Sequence, residues 1–158
     1  MPHINLLYPF LPEDQFEKAV PILQEALKKT NIKPFKLNLS KFCYFDHGKS
    51  CTIWLQPDIE GGVSEEEAKK NGVASNNYIH QIQKALEDCY PHLAEQRPFQ
   101  PHFSVAQCNG KANAEKLIKE FSENWQTVTF TVDGVYLISR RDFDDPFHVR
   151  HHLKLNVE

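Results

Sequence analysis

No run of this chain is apolar for the ~18 residues that a membrane-spanning helix needs, so no part of its 158 residues is read as crossing a bilayer. Glycine is scarce, six in all, and no glycine-rich loop opens a helix in the way that phosphate-binding loops do. The triplet Gly48-Lys49-Ser50 lacks the upstream glycine and spacer of a P-loop and falls where a turn is expected. The four cysteines, Cys43, Cys51, Cys89 and Cys108, show no CxxC spacing. A chain of this length needs no disulfide staple, so they are read as free thiols in a reducing compartment. No targeting segment precedes the first strand pattern, and the expected location is the cytoplasm, or alternatively the nucleus. An excess of one charge sign is also missing. A net charge of −3 and a pI near 6.2 exclude a protein that coats long nucleic acid through phosphate neutralisation alone.

Hydrophobic residues make up 41% of the chain, enough for a sizeable core in one compact unit or two intimately packed lobes spanning residues 1–158. A first strand is expected at about 3–8. Pro12, Glu13 and Asp14 then signal a helix start before Phe16, Ala19, Val20, Leu23, Ala26 and Leu27 at helical spacing, with Pro21 expected to kink or split the helix. Phe35, Leu37 and Leu39 alternate with polar residues in a strand reaching Tyr44, and Asp46-His47-Gly48 turns it back toward a partner at Cys51 to Gln56. Residues 57–74 read as a surface excursion leading to Ser75, the expected cap of a helix with Ile79, Ile82, Leu86 and Cys89. The second half repeats the plan: a strand at His102, a helix with Ala114, Leu117, Ile118 and Phe121, a strand pair at 128–131 and 135–139, and a last strand from Phe147 to Val157.

Two short segments say nearly the same thing. Pro2-His3-Ile4-Asn5-Leu6 and Pro101-His102-Phe103-Ser104-Val105 each place a histidine, an apolar residue, a small polar residue and another apolar residue. Read as strands with a period of 2, His3 and Asn5 face one way while Ile4 and Leu6 enter the core, and His102 and Ser104 do the same against Phe103 and Val105. Two imidazoles sharing one cleft suit transfer at a phosphate. A neutral one takes a proton from the attacking oxygen, a protonated one gives a proton to the leaving oxygen, and the polar neighbours hold phosphate oxygens.

This pair of motifs, with PHINLLYPF near the start, RPFQPHFSVAQ in the second half and VYLISRRDFDDPFHV near the end, resembles the 2H phosphoesterases, a superfamily that includes 2′-5′ RNA ligase-like and cyclic phosphodiesterase-like proteins. The resemblance runs through most of the chain, and Asn5 departs from it, standing where the family usually has Thr or Ser. It implies an α+β fold of two pseudo-symmetric lobes, each an antiparallel sheet with outer helices, the sheets facing across a central cleft. It also implies a metal-independent phosphodiesterase that uses no cofactor, acts on an RNA terminus or nucleotide, and opens 2′,3′-cyclic phosphates or cleaves 2′-5′ linkages. The expected catalytic residues are His3 and His102. The expected substrate-binding residues are Asn5, Ser104, Arg140, whose guanidinium fork matches a phosphate, and Tyr8, whose ring can stack a base. Phe42, Tyr44 and Phe45 are further stacking candidates, against the ordinary reading that they complete the core.

His148, His151 and His152 invite a metal reading, but in an extended strand His148 and His152 share a face while His151 joins Val149 and Leu153 on the other. Three convergent ligands would require a bulge or a turn. No metal is expected, and the chain is expected to act as a monomer. Two other classes stay open: a nucleotide- or RNA-binding module with little turnover, weakened catalytically by Asn5, and an interaction protein whose repeated histidines are structural.

Overall fold

Alternation of Phe35, Leu37 and Leu39 with polar residues builds a long strand, β1 (Phe35–Asp46), which pairs antiparallel with β2 (Ser50–Ile59) from Leu37↔Ile59 to Asp46↔Cys51. The computed structural model describes residues 1–62, 65–72 and 77–156. The β1–β2 turn closes as expected. Gly48 takes φ +90°, a left-handed value that side chains disfavour, and its N–H donates to Asp46 Oδ1 at 2.8 Å. The strands β3 (Phe103–Asn109) and β4 (Val128–Val132) complete a four-stranded antiparallel sheet in the order β3-β2-β1-β4. One face buries Leu37, Leu39, Phe42, Ile53 and Leu55. The helix α4 (Lys111–Asn124) packs on that face, with Phe121 against Phe42 at 5.6 Å between ring centroids.

A second sheet pairs β5 (Gly134–Ser139) with β6 (His148–Lys154). The helix α1 (Phe16–Thr30) packs on β6 and against α3 (Tyr78–Cys89), and Leu23, Leu27, Ile82, Leu86 and Leu153 join the core of the first sheet. This is the expected α+β architecture of two antiparallel sheets with helices. Its sheets are nevertheless assembled across the two halves of the sequence. β3 and β4, from the second half, complete the sheet begun by β1 and β2, while α1, from the first half, covers β6.

Several local expectations are corrected. The strands at 128–132 and 134–139 do not pair with one another: only Asp133 separates them, too little for even a two-residue hairpin, so the chain passes directly from one sheet to the other. Pro21 does not split α1, because the face of Phe16, Ala19, Leu23 and Leu27 is buried along the whole helix and holds it despite one lost N–H. The excursion after β2 contains a short helix, α2 (Glu65–Asn71), and the expected cap Ser75 and strand end Val157 lie outside the described residues. Residues 3–8 form no continuous strand; Ile4 alone is paired, with Phe103.

Candidate functional site

The single antiparallel bridge between Ile4 and Phe103 brings the two repeated motifs together. Carried one residue to either side of the bridge, an antiparallel register sets His3 opposite Ser104 and Asn5 opposite His102, on the side away from Ile4 and Phe103. His3 and His102 are therefore diagonal neighbours, a relation in which side chains root about 7–8 Å apart.

Each ring is also turned the same way. His3 Nδ1 lies 2.9 Å from Met1 O, and His102 Nδ1 lies 2.8 Å from Gln100 O. A carbonyl oxygen only accepts, so Nδ1 carries the hydrogen in both rings, and Nε2 is the atom left to exchange a proton. The two backbones thus impose one tautomer on both histidines.

An aromatic ring stands edge-on to each imidazole. Phe147 lies 5.2 Å from His3 at 76°, and Phe45 lies 5.0 Å from His102 at 87°. Beyond these rings the two sides differ. The Arg140 guanidinium sits 4.5 Å over Phe147 and 4.9 Å over Phe143, and its Nη1 donates to Phe143 O at 3.3 Å. On the other side Phe45 stacks on Trp54 at 4.8 Å and 25°, with Trp54 6.1 Å from His102. The segment carrying Phe143 and Phe147 is shaped by carboxylates: Asp142 Oδ1 accepts the N–H groups of Asp144 and Asp145 at 3.0 Å, and Asp145 Oδ2 accepts that of Arg141 at 3.1 Å. The Arg141 N–H, with His148 and the Arg141 side chain, holds the Asp145 carboxyl below its ordinary range.

His3, Asn5, Tyr8, Arg140 and Phe147 line one cavity of about 720 Å³ between the N-terminal segment and β4–β5. His102 and Ser104 do not line it; they face the side of the large sheet opposite α4, where Trp54 is the register partner of Ser104. A bulge in β3 corrects one expectation: the register skips between Ile53↔Ala106 and Trp54↔Ser104. Val105 is thereby left unpaired and 40% exposed, and Ala106 and Cys108 pack toward the core in its place. Phe42 and Tyr44 are not at the site. By alternation they lie on the face of α4, Phe42 against Phe121 and Trp125, Tyr44 donating to Glu115. Sequence reasoning missed two residues. Trp54 was legible, since it alternates with Ile53 and Leu55 and so faces away from the core; Phe147 had no local signal, because a loop residue 144 positions from the His3 it stands against cannot be read by periodicity.

The three late histidines go to three separate carboxylates: His148 to Asp145 at 3.5 Å, His151 to Glu17 at 3.5 Å and His152 to Asp133 at 3.3 Å. A register shift in β6 between Leu137↔His151 and Ile138↔Val149 changes their faces. His148 shares the side of His151 and Leu153, and Val149 turns outward with His152. Among the described residues no group of three or more His, Cys, Asp or Glu side chains is arranged to hold a metal ion, and no helix is long and apolar enough to cross a membrane. All four cysteines are free thiols, and burial raises those of Cys43, Cys51 and Cys89 above the ordinary range.

A search of curated proteins finds no match to this chain. The family model described as the 2′-5′ RNA ligase superfamily matches residues 1–144, a span that contains both histidine motifs, Arg140 and Phe143. With nine-tenths of its length matched, the chain belongs to the 2′-5′ RNA ligase superfamily, that is, to the 2H phosphoesterases.

Proposed function

We propose that this protein is a phosphodiesterase that opens 2′,3′-cyclic phosphates, or cleaves 2′-5′ linkages, at RNA ends or on nucleotides. The observation that supports this reading best is the Ile4–Phe103 bridge, which joins the two histidine motifs, together with the matching engagement of both Nδ1 atoms. In the hydrolytic reaction one neutral Nε2 takes a proton from water as its oxygen bonds to phosphorus. The protonated Nε2 of the other ring gives its proton to the leaving ribose oxygen as the P–O bond breaks. The two rings end with their protonation states exchanged, and solvent resets them. Asn5 and Ser104 donate to the non-bridging oxygens, and Arg140 balances their charge. The imidazoles supply both proton transfers, so this scheme calls on no metal ion. Both motifs come from one chain, which agrees with action as a monomer.

The test is turnover of 2′,3′-cyclic nucleotides, and of a short RNA ending in a cyclic phosphate, in the presence of chelator. Wild type, His3→Ala and His102→Ala are compared, with any tag placed at the C-terminus because His3 lies so near the other end. Each substitution is expected to cost about a hundredfold or more in kcat, and the wild-type pH profile is expected to be bell-shaped. Full activity in either variant rejects the mechanism. Nucleotide binding without turnover in wild type supports a binding module instead.

A further inference from the structure

Two of the four thiols, none of which the proposed chemistry uses, are neighbours. Cys51 in β2 and Cys108 in β3 are register partners, and an antiparallel pair turns both side chains to the same face of the sheet. That face is the one of Ile53 and Leu55, beneath α4. Just beyond the pair, the Gly110 N–H donates to Lys49 O at 3.2 Å, so Lys49 and Gly110 face each other across a hydrogen bond. Hydrogen-bonded and non-hydrogen-bonded pairs alternate along an antiparallel ladder, which makes Cys51 and Cys108, two positions on, a hydrogen-bonded pair with Cα atoms about 5.5 Å apart. Disulfides span Cα separations of about 4.4–6.8 Å, most often about 5.5–6 Å. The backbone therefore already holds the separation that a bond between the two sulfurs needs. The other two thiols are turned elsewhere. Cys43 lies on the opposite face as the register partner of Trp54 and donates to Gln56 Oε1 at 3.9 Å, and Cys89 donates to Ala85 O within α3 at 3.4 Å.

The two sulfurs differ in access. Cys51 is fully buried, and burial raises its thiol above the ordinary range, which leaves it protonated and inert toward an oxidant in solution. Its S–H donates to Asp46 Oδ1 at 4.0 Å. Cys108 is only half-buried and belongs to an edge strand of the sheet. We propose that Cys51 and Cys108 form a reversible oxidative modification site, at which a small disulfide oxidant, oxidised glutathione, converts the dithiol into a cross-strand disulfide. The Cys108 thiol loses its proton to solvent and attacks one sulfur of the oxidant, and one glutathione thiolate leaves and takes up a proton. The Cys51 sulfur then attacks the Cys108 sulfur of the mixed disulfide, its proton departs toward Asp46, and the second glutathione thiolate leaves. Two protein thiols give up two electrons in all, and the one disulfide of the oxidant is reduced to two thiols. The order follows from access, since the oxidant reaches Cys108 first and Cys51 only through it. In a reducing compartment the dithiol is the resting form, and the bond records an oxidising episode. Its effect is local. It fastens β3 to β2, while His102 lies six positions before Cys108, about 20 Å away along an extended chain, and keeps its place.

In the experiment the full chain is incubated with oxidised glutathione under native conditions, as wild type, Cys51→Ala, Cys108→Ala and the double variant Cys43→Ala/Cys89→Ala. Thiols counted after unfolding are expected to fall from four to two in wild type, with a peptide map that joins Cys51 to Cys108, and a reductant is expected to restore all four. The double variant is expected to keep the crosslink. Cys51→Ala is expected to stop at a glutathione adduct on Cys108, and Cys108→Ala to leave Cys51 unmodified. Oxidation of wild type is expected to raise the midpoint of urea unfolding, because closing the loop from Cys51 to Cys108 restricts the unfolded chain, and reduction to return it. These readings need no turnover, so they stand whether or not the protein is a phosphodiesterase. Where the reduced protein is active, the oxidised form is expected to keep that activity. Four thiols left in wild type, a map that joins another pair, or a crosslink formed only in denaturant overturns the site. A crosslink that lowers the midpoint or abolishes turnover overturns its role as a fastening that leaves His102 in place.

Discussion

Ile4 and Phe103 are paired across an antiparallel bridge, and on this one contact rests the approach of two motifs that the chain separates by most of its length. Neither residue touches a proton in the proposed reaction. Ile4→Ala and Phe103→Ala are therefore expected to lower kcat about tenfold to a hundredfold by misplacing the rings, while both limbs of the pH profile stay in place. Loss of one limb would show that these residues tune an imidazole directly.

Asn5 and Ser104 occupy matching places in the two repeated motifs, each two residues after its histidine. Removing one hydrogen bond to a charged oxygen costs about 1.5–3 kcal/mol, so Asn5→Ala and Ser104→Ala are each expected to reduce kcat/KM by about tenfold to a hundredfold. Asn5→Thr keeps a donor and is expected to stay within about tenfold of wild type. Steady-state kinetics decide this, and an inactive Asn5→Thr would show that the longer amide reaches something a hydroxyl cannot.

Arg140 rests on Phe147 and Phe143 through its flat guanidinium. Lysine preserves the charge but neither the stacking plane nor the two-pronged donor set. Arg140→Lys is expected to raise KM about tenfold, close to the effect of Arg140→Ala. A KM near wild type would mean that charge alone suffices.

Gly134 opens β5 where a Cβ would lie 2.2 Å from Leu153 O and 2.7 Å from His152 Nε2. The first of these neighbours is backbone in the paired strand and cannot rotate away. Gly134→Ala is expected to cost about 1–3 kcal/mol in urea unfolding. An unchanged midpoint would indicate that β6 shifts freely.

Asp145 has its carboxyl held below the ordinary range, chiefly by the N–H of Arg141. A carboxyl whose folded pKa is below its unfolded one stabilises the fold above the unfolded value, about 3.9, and that contribution is lost as the pH falls through the folded value. Asp145→Asn is expected to melt below wild type at pH 7, with the gap closing as the pH drops below about 4. Thermal melts from pH 7 to pH 3 measure it, and a gap independent of pH would assign the effect to packing.

Much of the chain was legible without its fold. Leu23 and Leu27 announce α1 by helical spacing, Phe35, Leu37 and Leu39 announce β1 by alternation, and Gly48 marks the turn, because these signals depend only on neighbours along the backbone. The repeated motifs were equally plain. Where local reading went astray, a register or a partner was at stake. Val105 points outward because a bulge shifts β3 by one residue, and β4 and β5 part company because each finds its partner elsewhere in the chain.

By itself, the sequence determined which residue types carry the chemistry, their alternation, and the family to which two such motifs belong, since all of these are properties of short segments. Only the tertiary structure decided that the two motifs join through the bridge between Ile4 and Phe103, that both rings share one tautomer, and that Arg140 stands behind one while Trp54 stands behind the other. Those relations join residues distant in the chain, and only the packing of the common core, which no local period encodes, brings them within reach of each other.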